Sequence, residues 1–567
     1  MIRLRLVIAA LSLLCLLFAC NGKKNHEGSS PRPVVVAVEG DIDSFNPLFA
    51  EELSAGEVND LLFPALVGSD FNARTGVLDY TPLLARSWEY GNGGKDITFH
   101  LVGGAHWSDG DPVKARDVQF SYELYGDPDV ASIRQAAVEQ LRLTNGKPDI
   151  TRSIEIVDDS TVVFHFERTY PGQLFDAGLP IIPVHVFKNV PRKELRTSPL
   201  NRTPASSGPF VLARWTPLQE TILNSNPQSN IPYPAKLSQL IFRVVPDYRA
   251  RVMQLQTGEL DVVAGLRTED AEMIEKQTPA VSVVSTPGRD YDFIGWNNID
   301  PAMYASSGGK TIRPHKLFGN RHVRRALTMA VNREEIVAAY LGKHGQPAMG
   351  GVSPLFKWAY NDSLKPLPFD VQQARALLKK EGWHDSDGDG VIDRHDVRFS
   401  FALKVPSGNQ LRNVIAATIQ QQLRNIGIEM QIEQVEKGTF WEEVTTRKYD
   451  AWLAGFSVPL QMQLDDLWGS DLQKYPFNLT GFRNARVDQL LASARSLARE
   501  VDGADLWKEF QVILHDEQPC TFLYWINSIV GVNTRVKGTN VGVLGTTHKA
   551  WEWYVGEGGP NVVARTR

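Results

Sequence analysis

The sequence predicts an α/β protein built of several lobes, and three observations carry that prediction. In LRNVIAATIQQQLRNIGIEMQIEQV an apolar face at helical spacing stops at Gly427 and period-two alternation begins, so a helix feeds a strand. The run VVVAVEG, Val34 to Gly40, is continuously apolar and mostly β-branched, as a strand covered on both faces requires. At 567 residues the chain exceeds one compact core, and no fixed-period repeat makes it a solenoid or propeller. Two or three α/β or α+β lobes follow.

The N-terminus reads as an export signal. Arg3 and Arg5 precede an apolar run from Leu6 to Ala19 that is too short for a confident spanning helix. Its end, Leu17-Phe18-Ala19-Cys20, resembles the lipobox of bacterial lipoproteins, with Phe18 bulkier than the small residue usual there. Cys20 is thus the expected lipidation site, and NGKKNHEGSSPRP a flexible tether. With Cys15 in the signal and Cys20 carrying lipid, Cys520 has no partner for an intrachain disulfide. Its apolar surroundings, QPCTFLYW, predict a buried, inert thiol.

Beyond Val34, the alternation of Ile97, Phe99 and Leu101 predicts a half-buried strand before a Gly-Gly turn. Lys114 to Asp117 opens a helix carrying Val118, Phe120 and Tyr122, and SIEIVDDSTVVFHFE forms a hairpin about Asp158-Asp159. GPFVLARW, ETILNSN and QLIFRVV are strands; ARVMQLQTGELDVV is a helix stopped by Gly258 and followed by a short strand. Val323, Ala326, Leu327 and Ala330 give HVRRALTMAVNREEIVAAYL helical spacing. Leu411, Val414, Ile415, Ile419, Leu423 and Ile426 form one face of the later helix, before a strand of Ile428, Met430 and Ile432.

Composition excludes several functions. A net charge of -5 gives no basic footprint for nucleic acid, and 43% hydrophobic with 22% charged residues describes a folded chain. No zinc-protease helix, nucleophile elbow, phosphate loop or Cys-x-x-Cys pair occurs. His165 and His185 read as structural, as do Asp158-Asp159 in a turn and Asp465-Asp466 at a helix cap. Thirteen tryptophans in loops and strand ends suit ligand enclosure, which favours a binder over an enzyme.

The order of nine segments resembles the family 5 extracellular solute-binding proteins of bacterial ABC importers: PLLARSWE, WSDGDPVKARDVQFSYE, SSGPFVLARW, LQTGELDVV, NRHVRRALTMAVNREEIV, ARALLKKEGW, IQQQLRNIGIEMQI, KYDAWLAGF and VDQLL. That resemblance implies a periplasmic-binding-protein-like fold (type II, cluster C) with mixed sheets: two main lobes plus an inserted third. The boundaries it implies are a signal peptide at 1–19 and a tether at 20–33. Lobe I takes 34–53, 207–286 and 531–567, lobe II 54–206, and lobe III 287–530. Two crossover strands, near YDFIGWNN and TFLYWINSIVGV, would join lobes I and III around the ligand. The implied protein is a monomer with no catalytic residues. It is anchored to the cell membrane by lipid, facing the periplasm in a Gram-negative cell, and delivers a solute, most often an oligopeptide, to an ABC permease.

Local match to the family nominates Glu51 and Leu53 after the first strand, and Gly455, Phe456 and Ser457 at the end of the lobe III strand. Lys437, Phe440 and Trp441 are expected on the opposite wall. Pro459 stands where peptide-binding members carry an aspartate for the peptide's α-ammonium. Either Asp465 or Asp466 reaches in, or the ligand is not a peptide with a free amino terminus. A non-transport receptor or chaperone-like interaction protein on the same fold is the alternative, and a hydrolase of exported substrates a third reading.

HDSDGDGVIDRHD adds a separate candidate. Asp385, Asp387, Asp389, Asp393 and Asp396 fall at positions 1, 3, 5, 9 and 12 of a calcium loop, with Gly390 at 6 and the Val391 carbonyl at 7. Aspartate replaces the bidentate glutamate at position 12, and a strand follows where an EF-hand has its second helix. The loop is expected to hold a structural Ca2+ or to stand as an unmetallated Asp-Gly turn.

Overall fold

Val34–Val38 (β1) is buried along its whole length because it lies between two parallel neighbours. In the computed structural model, described here for residues 32–145, 147–231 and 234–556, it belongs to a sheet of eleven strands. The segment before Val34 is a separate unit almost wholly outside the described residues, and Cys20 with its signal lies there.

The other strands of this sheet are, in chain order, β2 (Phe210–Thr216), β3 (Glu220–Ser225), β4 (Gln239–Val244), β5 (Val262–Ala264) and β6 (Val281–Trp296). They continue with β7 (Gly345–Pro347), β8 (Ser400–Pro406), β9 (Glu429–Val435), β10 (Ala451–Ser457) and β11 (Cys520–Asn533). Their spatial order is β2-β3-β4-β1-β5-β11-β6-β10-β8-β9, with β7 on β11. The sheet therefore has a half around β1 and a half around β8, joined by an antiparallel ladder of two long strands, β6 and β11. These are the two crossover strands expected from YDFIGWNN and TFLYWINSIVGV.

That ladder is interrupted near its middle. Register shifts between the pairs Thr286–Ser528 and Asp290–Ile526, so Pro287, Gly288 and Arg289 stand opposite Asn527. A Cβ on Gly288 would lie 2.1 Å from the Ile526 carbonyl oxygen, so glycine is what permits the approach.

The inserted segment carries its own antiparallel sheet, in the order Ala85–Gly91, Asp96–Leu101, Thr161–His165, Ile154–Asp158. Ile97, Phe99 and Leu101 face its core, as does the helix Ala115–Gly126 through Val118, Phe120 and Tyr122. Asp117 fixes the start of this helix: one carboxylate oxygen accepts from the Lys114 amide at 2.8 Å and the other from the Val184 amide at 2.8 Å. The segment also abuts the second half of the large sheet. Trp358 donates its indole N–H to the Gly76 carbonyl at 3.1 Å, and Phe71 meets Phe356 edge-on.

Two expectations are corrected. HVRRALTMAVNREEIVAAYL forms two helices, Arg321–Met329 and Arg333–Tyr340, because Asn332 accepts from the Glu335 amide at 3.1 Å and starts a new one. Val414 is exposed, leaving Ile415, Ile419, Leu423 and Ile426 as the buried part of the face on Gln410–Arg424. His185 is a satisfied structural histidine as expected, its ring nitrogens 2.8 and 3.6 Å from Asp109 and Asp111. Cys520 is buried as expected, and burial pushes its thiol well above the ordinary range.

Candidate functional site

The site grows from the carboxyl end of β10. Ala451 to Ala454 are buried, Gly455 and Phe456 partly so, and Ser457 is exposed, so the strand emerges from the core at the residues nominated from sequence. Phe456 stacks on Phe293 with centroids 5.4 Å apart, and Trp441 lies 6.2 Å from it on the other side. Gly455 has a packing reason of its own. A Cβ there would come within 2.1 Å of an Asp292 oxygen and 2.5 Å of the Arg412 guanidinium. Arg412 forks onto Asp292 at 2.9 and 2.7 Å, and Tyr524 donates to the same carboxylate at 2.7 Å. This network ties the first turn of Gln410–Arg424 to β6 and β11.

Beyond Ser457 the chain enters a loop that touches the ladder's interruption. The Val458 amide donates to the Arg289 carbonyl at 2.9 Å, and the Arg289 guanidinium donates back to the Val458 carbonyl at 2.7 Å. Residues Pro459 to Gln463 then form one wall of a cavity of about 390 Å³. The opposite wall comes from the inserted segment, with Phe175, Asp176 and Leu179 among its residues. The two walls approach closely at Gly172, where a Cβ would be 2.9 Å from the Gln461 amide oxygen.

Glu139, Asp176 and Glu500 line the cavity, and among the described residues none of them forms an ion pair; Asp176 and Glu500 are the part-buried two. Glu500 accepts from the Met462 amide at 3.2 Å, and burial pushes its carboxyl up to about 7. Asp176 accepts from the Tyr170 hydroxyl, and burial likewise raises it to about 7. Of the three arginines that line the cavity, Arg495 pairs with Asp465, Arg168 meets the Arg495 carbonyl and the Tyr170 ring, and Arg134 donates to the Pro47 carbonyl at 3.4 Å. Asp465 is therefore held by Arg495 and does not reach into the place left by Pro459.

Leu53, Glu57 and Asp60 share one face of the helix Leu53–Leu62, and Leu53 is 79% exposed. At Asp60 desolvation raises the carboxyl against the lowering fields of Arg134 and His548. Arg134 also lines the cavity, so this end of the helix lies near it.

The nominated residues thus divide. Glu51 is exposed and paired with Arg196 at 3.1 Å, on the helix side with Leu53. Trp441, Gly455, Phe456 and Ser457 form the strand side, with Lys437 exposed nearby in sequence. Phe440 is fully buried, edge-on to Trp441 and beside Tyr449, so it belongs to the core and not to a wall. Among the described residues no hydrogen bond, ion pair or ring contact joins the two sides. Sequence reading missed Glu57, Asp60, Asp176 and Glu500. For the first two a signal existed, helical spacing from Leu53; the other two meet through tertiary approach alone.

In the acidic loop, Asp385, Asp387 and Asp389 bring carboxylate oxygens within 4.8 Å of one another. Gly388 and Gly390 take positive φ, and their amides donate to Asp385 at 2.7 and 3.0 Å. Asp393 and Asp396 stand outside this trio. The Asp393 carboxylate is taken by Ser386, and Asp396 sits at positive φ in the two-residue turn joining Asp393–Arg394 to Val397–Arg398. Arg398 pairs with Asp389 and lowers its carboxyl.

Comparison with known proteins agrees with this architecture. Residues 79–468 match the model of the bacterial extracellular solute-binding proteins, family 5 Middle. The oligopeptide-binding protein AppA of Bacillus subtilis is 28% identical over 541 residues, covering 92% of this chain and 93% of its own. The solved AppA structure, in complex with a nonapeptide, superposes with a TM-score of 0.73 at 26% identity, covering 93% of this chain and 99% of that one. NikZ from Campylobacter jejuni in complex with Ni(L-His) shares the fold, with a TM-score of 0.73 at 23% identity, over 92% of this chain and 99% of its own. No helix among the described residues is long and apolar enough to cross a membrane. A sheet in two halves on a two-strand ladder, with the family's match running through both, makes this chain a member of the family 5 extracellular solute-binding proteins, receptors and not enzymes as a family.

Proposed function

We propose that this chain is a lipid-anchored receptor, through Cys20, that captures an oligopeptide between the two halves of its large sheet and delivers it to an ABC permease. The observation that carries the reading is the interrupted β6–β11 ladder, hydrogen-bonded through Arg289 to the loop that walls the cavity. A ligand bridging the halves favours the closed arrangement by its differential affinity, and about 5.5 kcal/mol of such preference turns a 1:99 population into 99:1. In this reading 54–206 is the inserted lobe and 287–530 closes on the rest. The AppA relative, a peptide binder by name, supports the solute class.

Pro459 favours a second reading, a non-peptide solute, since proline offers no carboxylate to an ammonium; the NikZ neighbour carries a metal complex on the same fold. The Asp385–Asp389 trio is proposed to hold a structural calcium ion on the second half, remote in role from the solute. Calorimetric titration of the purified chain with oligopeptides tests the main reading: one-to-one binding with no turnover is expected. Hydrolysis of the bound peptide, abolished by one carboxylate or serine change, would instead make it an enzyme.

A further inference from the structure

We propose that the cavity walled by Pro459 to Gln463 is the subsite for a cationic group of the ligand, with Glu500 and Asp176 as its counter-ions. The inference deepens the peptide reading above and rests on it. The cavity is the right size for one terminal residue or one long side chain, at about 390 Å³. Leu460, Met462, Phe175 and Leu179 give it apolar walls for a stem. Two of the carboxyl groups that line it carry few partners of their own. Glu500 has one amide contact at 3.2 Å, and Asp176 one phenol.

Three arginines line the cavity, and Arg134 donates its Nε–H to the Pro47 carbonyl at 3.4 Å. Arg495 is paired with Asp465, and Arg168 reaches the Arg495 carbonyl while covering the Tyr170 ring. Two partly buried carboxyls left without a cation are costly to ionise, and an entering ammonium or guanidinium relieves that cost. The closure device is adjacent: the cavity loop begins at Val458, which exchanges two hydrogen bonds with Arg289. A cation that bridges Glu500 on one wall and Asp176 on the other joins the inserted segment to the second half of the sheet. The subsite thereby supplies what Pro459 cannot, from elsewhere in sequence.

The cationic group is either a free amino terminus or a basic side chain, and the test separates the two. The full chain in detergent is offered three pentapeptide pools at equal concentration: free-amino with neutral side chains, N-acetylated neutral, and N-acetylated with one lysine. Native mass spectrometry counts what is retained. The wild type should prefer the first or third pool over the second by about tenfold, worth about 1.4 kcal/mol. Glu500→Gln and Asp176→Asn should each erode that preference toward equal retention of the pools. Equal retention of all three pools, or variants that keep the wild-type preference, would overturn the subsite and leave the peptide reading intact. Retention of none would overturn the peptide reading itself, and the subsite with it. Acetylation alters the probe and not the protein, so the first comparison stands even where a variant fails to fold.

Discussion

Replacing Gly455 by alanine tests whether that position serves packing or ligand contact. The added methyl would lie 2.1 Å from Asp292 and 2.5 Å from Arg412, with the Tyr291 carbonyl oxygen at 3.0 Å, so the bidentate pair must part. The Asp292 and Arg412 side chains are only 13% and 20% exposed, which keeps water from replacing what is lost. Overpacking alone costs roughly 1–3 kcal/mol and stripping a buried pair roughly 3–5, so the expected loss is about 3 kcal/mol. Urea unfolding of the wild type, Gly455→Ala, Asp292→Ser and the double variant measures it as a cycle. Because Asp292→Ser vacates the space, the methyl should cost under about 1 kcal/mol in that background. A loss of less than about 0.5 kcal/mol for Gly455→Ala alone, or the same loss with and without Asp292, would refute the packing argument.

Three further outcomes are expected. Glu500 has a folded value of about 7 against an ordinary 4.5, so its contribution to stability is full below pH 4.5 and is lost as pH rises through 7. The loss is about 3 kcal/mol, and Glu500→Gln should remove it, so its stability relative to wild type climbs between pH 5 and 8; parallel pH curves for the two proteins would contradict this. Calcium at about a hundred times its dissociation constant should stabilise the chain by about 2.7 kcal/mol, and Asp387→Asn should abolish the gain. No melting shift at millimolar calcium would leave the loop a plain Asp-Gly turn. Gly288→Ala, whose methyl would sit 2.1 Å from the Ile526 carbonyl, should cost roughly 1–3 kcal/mol and weaken ligand binding together with stability; an unchanged melting temperature would show that the ladder's interruption tolerates a side chain.

How legible each part was depends on whether its cause is local. Val34–Val38, the alternation at Ile97, Phe99 and Leu101, and the stops at Gly258 and Gly427 follow from periodicity and backbone freedom, and all stand in the structure. The break at Asn332 was also local, an N-cap with Glu335 three residues on, but was masked by the apolar spacing through Ala330. Phe440 shows the limit of a motif match, since its neighbour Trp441 is half-exposed while it is not. Glu500 and Asp176 lie over three hundred residues apart in sequence and share a cavity through tertiary packing. Nothing in EVDG or LFDAG announces that. In the acidic loop the spacing suggested six ligands, and the hairpin that carries Asp393 and Asp396 leaves three together.

On the proposed function, the two halves enclose a peptide. Native mass spectrometry of the mature protein, extracted from its own membranes, weighs what it carries. A single added mass per chain that fragments as a peptide is the predicted result. A one-to-one complex whose added mass is a metal chelate, a haem or any other non-peptide compound would contradict it.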